Sequence, residues 1–381
     1  MFPIARNIAY IETFSGGNPL PSERQLQLWL PGRLRERLPS SWSIRLAGEQ
    51  APAGQGGDAL LFVSDSSGQT AQVVVEVKRY VVSPRETLAI IAQLKRYLPE
   101  NASAIVVAPF IGPRAQALLA AAHLNYLDAT GNLRLQLDRP TLYIAEQGAT
   151  HNPWTESTVQ QSLRGPAAGR VVRALCDIRP PYGVRELAEC AETPPGTVSK
   201  ILGLLDREAL IQRTERGKYR GEIVAVDWVA LLKRWTQDYH FETTNKVETY
   251  IEPRGLDMLF AQLRKWKQAG DLTHKRFAVT GSFASLLYAP IVQPRLVTLY
   301  VDDIAAAVAT LGLRPSDRGT NVLLATPFDP VVFARATERE GIIYSAVAQV
   351  AADLLTGSGR GPQEGAALLQ WMEAHEDDWR Q

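Results

Sequence analysis

The spacing of apolar residues changes several times along the chain, and each change marks an element. Over 184–192 (VRELAECAE), Val184, Leu187, Ala188 and Ala191 fall at i, i+3, i+4 and i+7. After Thr193-Pro194-Pro195-Gly196, a stretch rich in turn formers, the same spacing returns as Val198, Ile201, Leu202 and Leu205. Two amphipathic helices joined by a short turn are predicted, their stripes facing each other. The second helix leaves Thr197, Ser199, Lys200 and Gly203 outward. From Ala209 the chain reads ALIQRTERGKYRGEIV, a strand, a turn at Arg216-Gly217-Lys218 and a returning strand. A helix is predicted before this stretch at 167–177, with Val171, Val172, Leu175 and Cys176 on its apolar side. Another follows at 226–239, where Trp228, Leu231, Leu232 and Trp235 form a face suited to a core or a dimer contact.

Ahead of these helices the period alternates between two and 3.6. Residues 22–38 read as a helix with Ser22 as N-cap and Glu23 in its first turn. Strand-like runs follow at 41–47, 58–65 and 72–80, then a helix from Ser83-Pro84 to about Leu98. A buried strand at 103–109 and a helix at 112–124 complete an α-β-β-β-α-β-α order, which implies a mixed sheet with helices on its faces. Two more strands are expected within 126–146, where Asp128 is either a further acid near the candidate site or, the favoured reading, a turn residue. Residues 151–166, punctuated by Pro and Gly, read as a linker.

Beyond 245, an amphipathic helix at 253–269 leads to an apolar strand that enters Gly281-Ser282. A second strand ends at Asp302-Asp303, read as a turn and helix N-cap. A strand at 321–326, a helix at 347–355, the Gly-rich 357–362 (GSGRGP) and a helix at 363–374 follow. GSGRGP comes after a helix and not a strand, so it is no dinucleotide fingerprint and reads as a linker. The chain is thus α/β and multidomain, with boundaries at 1–150, 151–166, 167–245 and 246–381.

Composition changes this picture in one respect. The 381 residues suffice for two or three cores, but their net charge is only +1, so no global field favours nucleic acid. Attraction must be local. Between Pro194 and Arg220 stand six basic residues, Lys200, Arg207, Arg213, Arg216, Lys218 and Arg220, against three acids, and that excess suits a DNA contact. Two cysteines, no zinc-type Cys/His spacing, no leader-like start and no long apolar run point to a cytoplasmic protein without a membrane partner.

Candidate chemistry sits on the N-terminal strands. Glu76 and Lys78 are two apart and share a face, while Val73, Val75 and Val77 share the other. With Asp58, separated from Glu76 by seventeen residues, they make two carboxylates and a lysine, a set able to hold Mg²⁺ and position a water. Gln93 and Tyr97 share a face of the next helix. The bland alternative is a solvated Glu–Lys pair on a half-exposed strand.

These residues resemble the PD-(D/E)XK nuclease superfamily, in its branch with a Q-x-x-x-Y helix. The resemblance implies a restriction-endonuclease-like fold and metal-dependent phosphodiester hydrolysis. Asp58, Glu76 and the additional helix-one acid Glu23 would be metal ligands, with Glu76, Lys78, Gln93 and Tyr97 catalytic. The helix-turn-helix and basic hairpin resemble a winged helix of the kind found in bacterial regulators, which implies contacts to double-stranded DNA from Thr197, Ser199, Lys200, Arg213, Arg216, Lys218 and Arg220. The segment around Gly281-Ser282 resembles a nucleotidyltransferase. Leu296 and Thr298 stand where that family has carboxylates, so Gly281 and Ser282 would belong to a degenerate, inactive site. Together, the winged helix, the pseudo-transferase domain and the late VAQVAADLLTGSGRGPQEGAALLQWM resemble the AbiEi-type antitoxins of type IV toxin–antitoxin systems, over about residues 120–381. That family implies a regulator that represses its own operon and opposes a nucleotidyltransferase-type toxin. Three readings stay open: a DNA-binding antitoxin-like regulator, a Mg²⁺-dependent nuclease addressed by the winged helix, and a toxin-neutralising interaction protein. A homodimer through the 226–239 helix is also expected.

Overall fold

The computed structural model describes residues 20–47, 57–98, 102–154, 162–216, 219–269, 276–291, 293–316 and 318–381; of 215, 216, 219 and 220 it describes the backbone alone. The chain divides into two compact units, one within residues 1–159 with 207–209, the other 160–206 with 210–381. The expected boundary at 245/246 therefore falls inside one unit. Among the described residues no helix is long and apolar enough to cross a membrane.

The first unit contains α1 (Glu23–Arg35), β1 (Ser43–Ala47), β2 (Ala59–Ser64), β3 (Thr70–Val77), α2 (Pro84–Tyr97), β4 (Ser103–Ala108), α3 (Pro113–Ala121), β5 (Asn125–Asp128), β6 (Leu133–Leu137) and β7 (Leu142–Glu146). The order read from the sequence is present, with three closing strands in place of two. All seven strands lie in one sheet in chain order. β1–β2–β3 is an antiparallel meander, β3–β4–β5 is parallel, and β5–β6–β7 is antiparallel again. The parallel pairs are joined by α2 and α3, as parallel strands require a crossover.

Both faces of this sheet are covered. Leu26, Leu30 and Leu34, spaced by four along α1, pack with Val73, Val75 and Val77 of β3. On the other face Ile90 and Leu94 of α2 and Ala115 and Leu119 of α3 pack with Leu60, Val74 and Val106. Alternation along β3 thus places Glu76 on the side of α2 and α3, as strand period predicts. Two capping boxes fix the helix starts. Ser22 and Gln25 bond reciprocally at α1, and Ser83 and Glu86 do the same at α2.

The second unit begins with α4 (Pro166–Asp177), α5 (Val184–Cys190), α6 (Pro195–Arg207), β8 (Ile211–Arg216), β9 (Tyr219–Val226), α7 (Trp228–Trp235) and α8 (Phe241–Thr244). It continues with β10 (Lys246–Ile251), α9 (Leu256–Gln268), β11 (Phe277–Thr280), α10 (Gly281–Ser285), β12 (Val297–Val301), α11 (Ile304–Leu311), β13 (Arg314–Pro315), β14 (Val322–Thr326), β15 (Thr337–Arg339) and β16 (Ile342–Tyr344). The helices α12 (Val347–Leu355), α13 (Gly361–Ala374) and α14 (Glu376–Trp379) end it. Its sheet runs β13-β10-β14-β12-β11-β16-β15 and carries α9 and α11 among its covering helices.

The helical module and this sheet share one hydrophobic core, from Val171 and Leu202 through Trp235 to Leu299 and Leu368. Trp228, Leu231, Leu232 and Trp235 are all buried in it. Of the two roles expected for that face, core and dimer contact, the structure assigns core to these four side chains. The Gly-rich 357–361 is likewise not a linker. It is a tight turn between α12 and α13, which pack so closely that a Cβ on Gly361 would lie 2.8 Å from the Leu354 carbonyl oxygen.

Candidate functional site

Three places gather the residues singled out by the sequence. The first lies at the end of β3. Asp58 precedes β2, and its Oδ2 accepts a 2.7 Å hydrogen bond from the Val77 amide, standing in for the strand carbonyl that β2 does not supply there. The backbone reaches this position through Gly57, at φ +144°, where a Cβ would fall 2.5 Å from Val74. Glu76 is 3% exposed. Its Oε1 accepts from the Lys78 ammonium in a close ion pair and from Gln93 Nε2 at 3.3 Å. Burial works to lower the Lys78 pKa, but the hydrogen bond and charge of Glu76 outweigh it, with Tyr80 and Asp58 adding, and the net direction is up. Lys78 is a charged ammonium at neutral pH.

The structure thus brings Asp58, Glu76, Lys78 and Gln93 together. Tyr97, at the end of α2, is 51% exposed and makes no hydrogen bond to them among the described residues. Glu23 is exposed on α1, yet its charge reaches the phenol of Tyr80, which burial pushes up and which also feels Lys78. Tyr80 was not a sequence candidate, although it stands two positions after Lys78. No group of three or more His, Cys, Asp or Glu able to hold a metal occurs among the described residues. The donor chemistry nevertheless suits Mg²⁺, which takes one or two carboxylates and keeps water in its remaining positions. Among the described residues Asp58 Oδ1 and Glu76 Oε2 take no hydrogen bond. Asp128 belongs elsewhere. Buried, it accepts from the amides of Ile111, Thr130 and Asn132 and from the side chains of Thr130 and Asn132, and it organises the β5–β6 turn as expected.

The second place is the helix-turn-helix. Val198, Ile201, Leu202 and Leu205 are buried. Ser199 and Lys200 are exposed on α6 and Thr197 is half-buried, all at the expected surface. The turn is held by Thr193, whose hydroxyl donates to Ala191 O at 2.8 Å, and by Arg170 of α4, which donates to Glu192 O at 2.9 Å. β8 and β9 form the expected hairpin, and an isolated bridge between Tyr182 and Ile223 adds a third strand position that sequence reading missed. Arg213 donates from Nε to Gly221 O at 3.2 Å, so part of its guanidinium ties the two strands together. Lys218 and the side chains of Arg216 and Arg220 lie outside the described residues.

The third place is a cavity of about 540 Å³ in the second unit. Gly281, Ser282, Leu296 and Thr298 line it, as do Asp353 and the 357–361 turn. Asp303 caps α11 through Ala306 N, and Asp302 pairs with Arg276 at 2.9 and 3.0 Å, so neither acid replaces the missing carboxylates. Behind the cavity, Asp353 is fully desolvated, which pushes its carboxyl up against the opposing pull of four donors. Those donors are Thr280 Oγ1 at 2.5 Å, Tyr239 at 2.6 Å, Gln349 Nε2 at 2.8 Å and Tyr300 at 2.9 Å. Gln349 Oε1 in turn accepts from Arg173 Nη1 of α4 at 2.8 Å, and Arg173 pairs with Asp177. The sequence signal for this network was a polar pair, Gln349 and Asp353, four apart inside the otherwise apolar VAQVAADLL.

Residues 225–372 match a family model. The family is described as transcriptional regulator, AbiEi antitoxin, type IV TA system. The match starts in β9 and ends in α13, so it takes in the C-terminal sheet and its cavity, leaving out α4–α6 and the first unit. It is narrower than the resemblance over about 120–381 suggested. No curated protein and no solved structure matches the chain.

Proposed function

We propose that this protein is a DNA-binding regulator of the AbiEi antitoxin type, acting in the cytoplasm. The observation that carries the reading is the family match beginning in the hairpin directly after a helix-turn-helix whose second helix turns Thr197, Ser199 and Lys200 outward. In this reading 167–245 is a winged helix. Its α6 enters the major groove of double-stranded DNA while Arg213, Arg216, Lys218 and Arg220 of the wing meet phosphates. The C-terminal part, with its degenerate Gly281-Ser282 site, opposes a nucleotidyltransferase-type toxin without transferring nucleotides itself. A gel-shift with DNA from upstream of the gene tests the first half. Retarded migration that Lys200→Ala weakens is expected, and unretarded DNA at low salt rejects it. Co-expression with a candidate nucleotidyltransferase-type toxin tests the second; relief of its growth arrest is expected, and undiminished arrest rejects it.

A second reading is favoured by the convergence of Asp58, Glu76, Lys78 and Gln93. Here the first unit is a PD-(D/E)XK-type nuclease brought to DNA by the winged helix. Asp58 and Glu76, with Glu23 as the further candidate, would hold Mg²⁺, which supplies Lewis acidity and an activated water when bound. Lys78 and Gln93 orient the Glu76 carboxylate, and Tyr97 faces solvent where substrate approaches. Plasmid incubated with Mg²⁺ or Mn²⁺ tests it, and cleavage that persists equally in Lys78→Ala rejects it.

A further inference from the structure

The cavity beside Gly281 carries two unmet requirements of opposite kind. Glu364, in the first turn of α13, is 9% exposed and lines the cavity, and its Oε2 is buried without a hydrogen-bond partner among the described residues. A buried acceptor left without a donor is costly, so such an atom usually has an occupant to bond. At the mouth, Arg295 and Arg360 are exposed and line the same cavity, and neither has an acid partner among the described residues. Glu242, also exposed at the rim, leaves the mouth net positive. The deep wall is different: Thr280 and Asp353 already satisfy each other there.

An occupant that meets both requirements has an anionic end and a donor end. Two guanidinium groups suit the charge and fork geometry of a phosphate. The acceptor within needs an amine or a hydroxyl. A volume of about 540 Å³ lies in the range of small-molecule sites, which run from roughly 300 to 1,000 Å³, and is larger than a lone inorganic phosphate needs.

The wall behind the site leads into the helical module. Asp353 faces the cavity and takes the Gln349 amide, and Gln349 takes Arg173 on α4. All three residues are buried, and a shift at one end must be matched at the other, because an unpaired buried polar group is costly. We propose that the cavity binds a small phosphorylated molecule bearing amine or hydroxyl donors, and that occupancy is transmitted to α4 through Asp353, Gln349 and Arg173. Arg295 and Arg360 hold the phosphate, and Glu364 accepts from the donor end. Neither the site nor its link to α4 depends on the DNA-binding reading.

Calorimetry on the full chain tests the site, with glucosamine 6-phosphate, ribose 5-phosphate, adenosine monophosphate and inorganic phosphate as probes beside the unphosphorylated counterparts. At least one phosphate ester is expected to bind with a submillimolar Kd, and its counterpart not to bind. The exposed-site double variant Arg295→Ala/Arg360→Ala should weaken it tenfold or more with an unchanged melting temperature. Glu364→Gln should weaken the amine-bearing probe more than the hydroxyl-only ones. No binding by any probe in the millimolar range, or an affinity indifferent to the arginines, overturns the site. Inorganic phosphate binding as tightly as the esters overturns the role of Glu364. Transmission is read as a change in amide hydrogen exchange over α4 when the tightest probe is added. It should vanish in Gln349→Met while binding is retained. Unchanged exchange over α4 in the native chain overturns the link.

Discussion

Lys78 is tied to a carboxylate it nearly buries. Its side chain is 18% exposed and that of Glu76 4%, so water does little to screen the pair. Replacing Lys78 by Met leaves the Glu76 charge with Gln93 as its remaining side-chain donor. Breaking a buried pair from one side costs about 3–5 kcal/mol, and Lys78→Met should lower the stability of the first unit by about 3 kcal/mol in urea unfolding. Lys78→Met with Glu76→Met should recover most of that loss. Asp353 carries a pH dependence. Its folded pKa is raised by burial, so its contribution to stability is fully present below the unfolded pKa of 3.8 and is lost as pH rises through the folded value. Asp353→Asn removes that loss. The stability difference between native and variant protein should therefore move in the variant's favour as pH rises above about 4, a trend calorimetric melting at stepped pH would detect; a difference independent of pH contradicts it. At this scale strand period alone put Glu76 and Lys78 on one face. The sequence offered the nearby Gln349–Asp353 pair, but nothing in it could show that Asp58 bonds the Val77 amide or that Thr280, Tyr239 and Tyr300 converge on Asp353, because those contacts join residues far apart in the chain.

Elements were the most legible level. The i, i+3, i+4, i+7 stripes of α5 and α6 and the Ser-Pro start of α2 are local signals, and local signals need no knowledge of neighbours. GSGRGP was misread for the complementary reason. Its Gly361 answers a partner, α12, and the close approach continues past the segment to Gly365 of α13, where a Cβ would lie 2.9 Å from the Leu355 amide nitrogen. Gly365→Val should cost about 1–3 kcal/mol through overpacking, measurable as a lower melting temperature of the second unit. The spacing along α7 marks an apolar face without naming its partner, since periodicity reports that a face is covered and not by what. For α6, Lys200 is exposed and makes a phosphate contact in the regulator reading. Lys200→Ala should then weaken DNA binding about evenly across sequences and reduce the slope of log affinity against log salt by about 1. A loss confined to one sequence would make Lys200 a base reader instead.

At the scale of the whole molecule, a sequence boundary drawn at 245 separates residues that the fold joins. Composition shifts mark changes of motif, but a core is defined by what packs, and Trp235 of α7 stacks on Tyr239 with centroids 4.6 Å apart while Phe328 beyond β14 leans on both. Gly169 of α4 admits the Phe328 ring so closely that a Cβ would meet it at 2.8 Å. Arg173 adds a polar tie, donating to Gln349 and to the Val331 and Ala334 carbonyls from a position with no exposed surface. A helical module bound in this way shares its unfolding with the sheet. Arg173→Met keeps the length of the stem and removes the donors, leaving Asp177 with Arg335 and the Gln349 oxygen without its cation. The variant should lose about 3 kcal/mol or more. The loss should appear equally in hydrogen exchange from α4 and from β11 and β12, because both open in one cooperative step. Protection lost from α4 alone, with the sheet unaffected, would restore the separate domains that the sequence suggested.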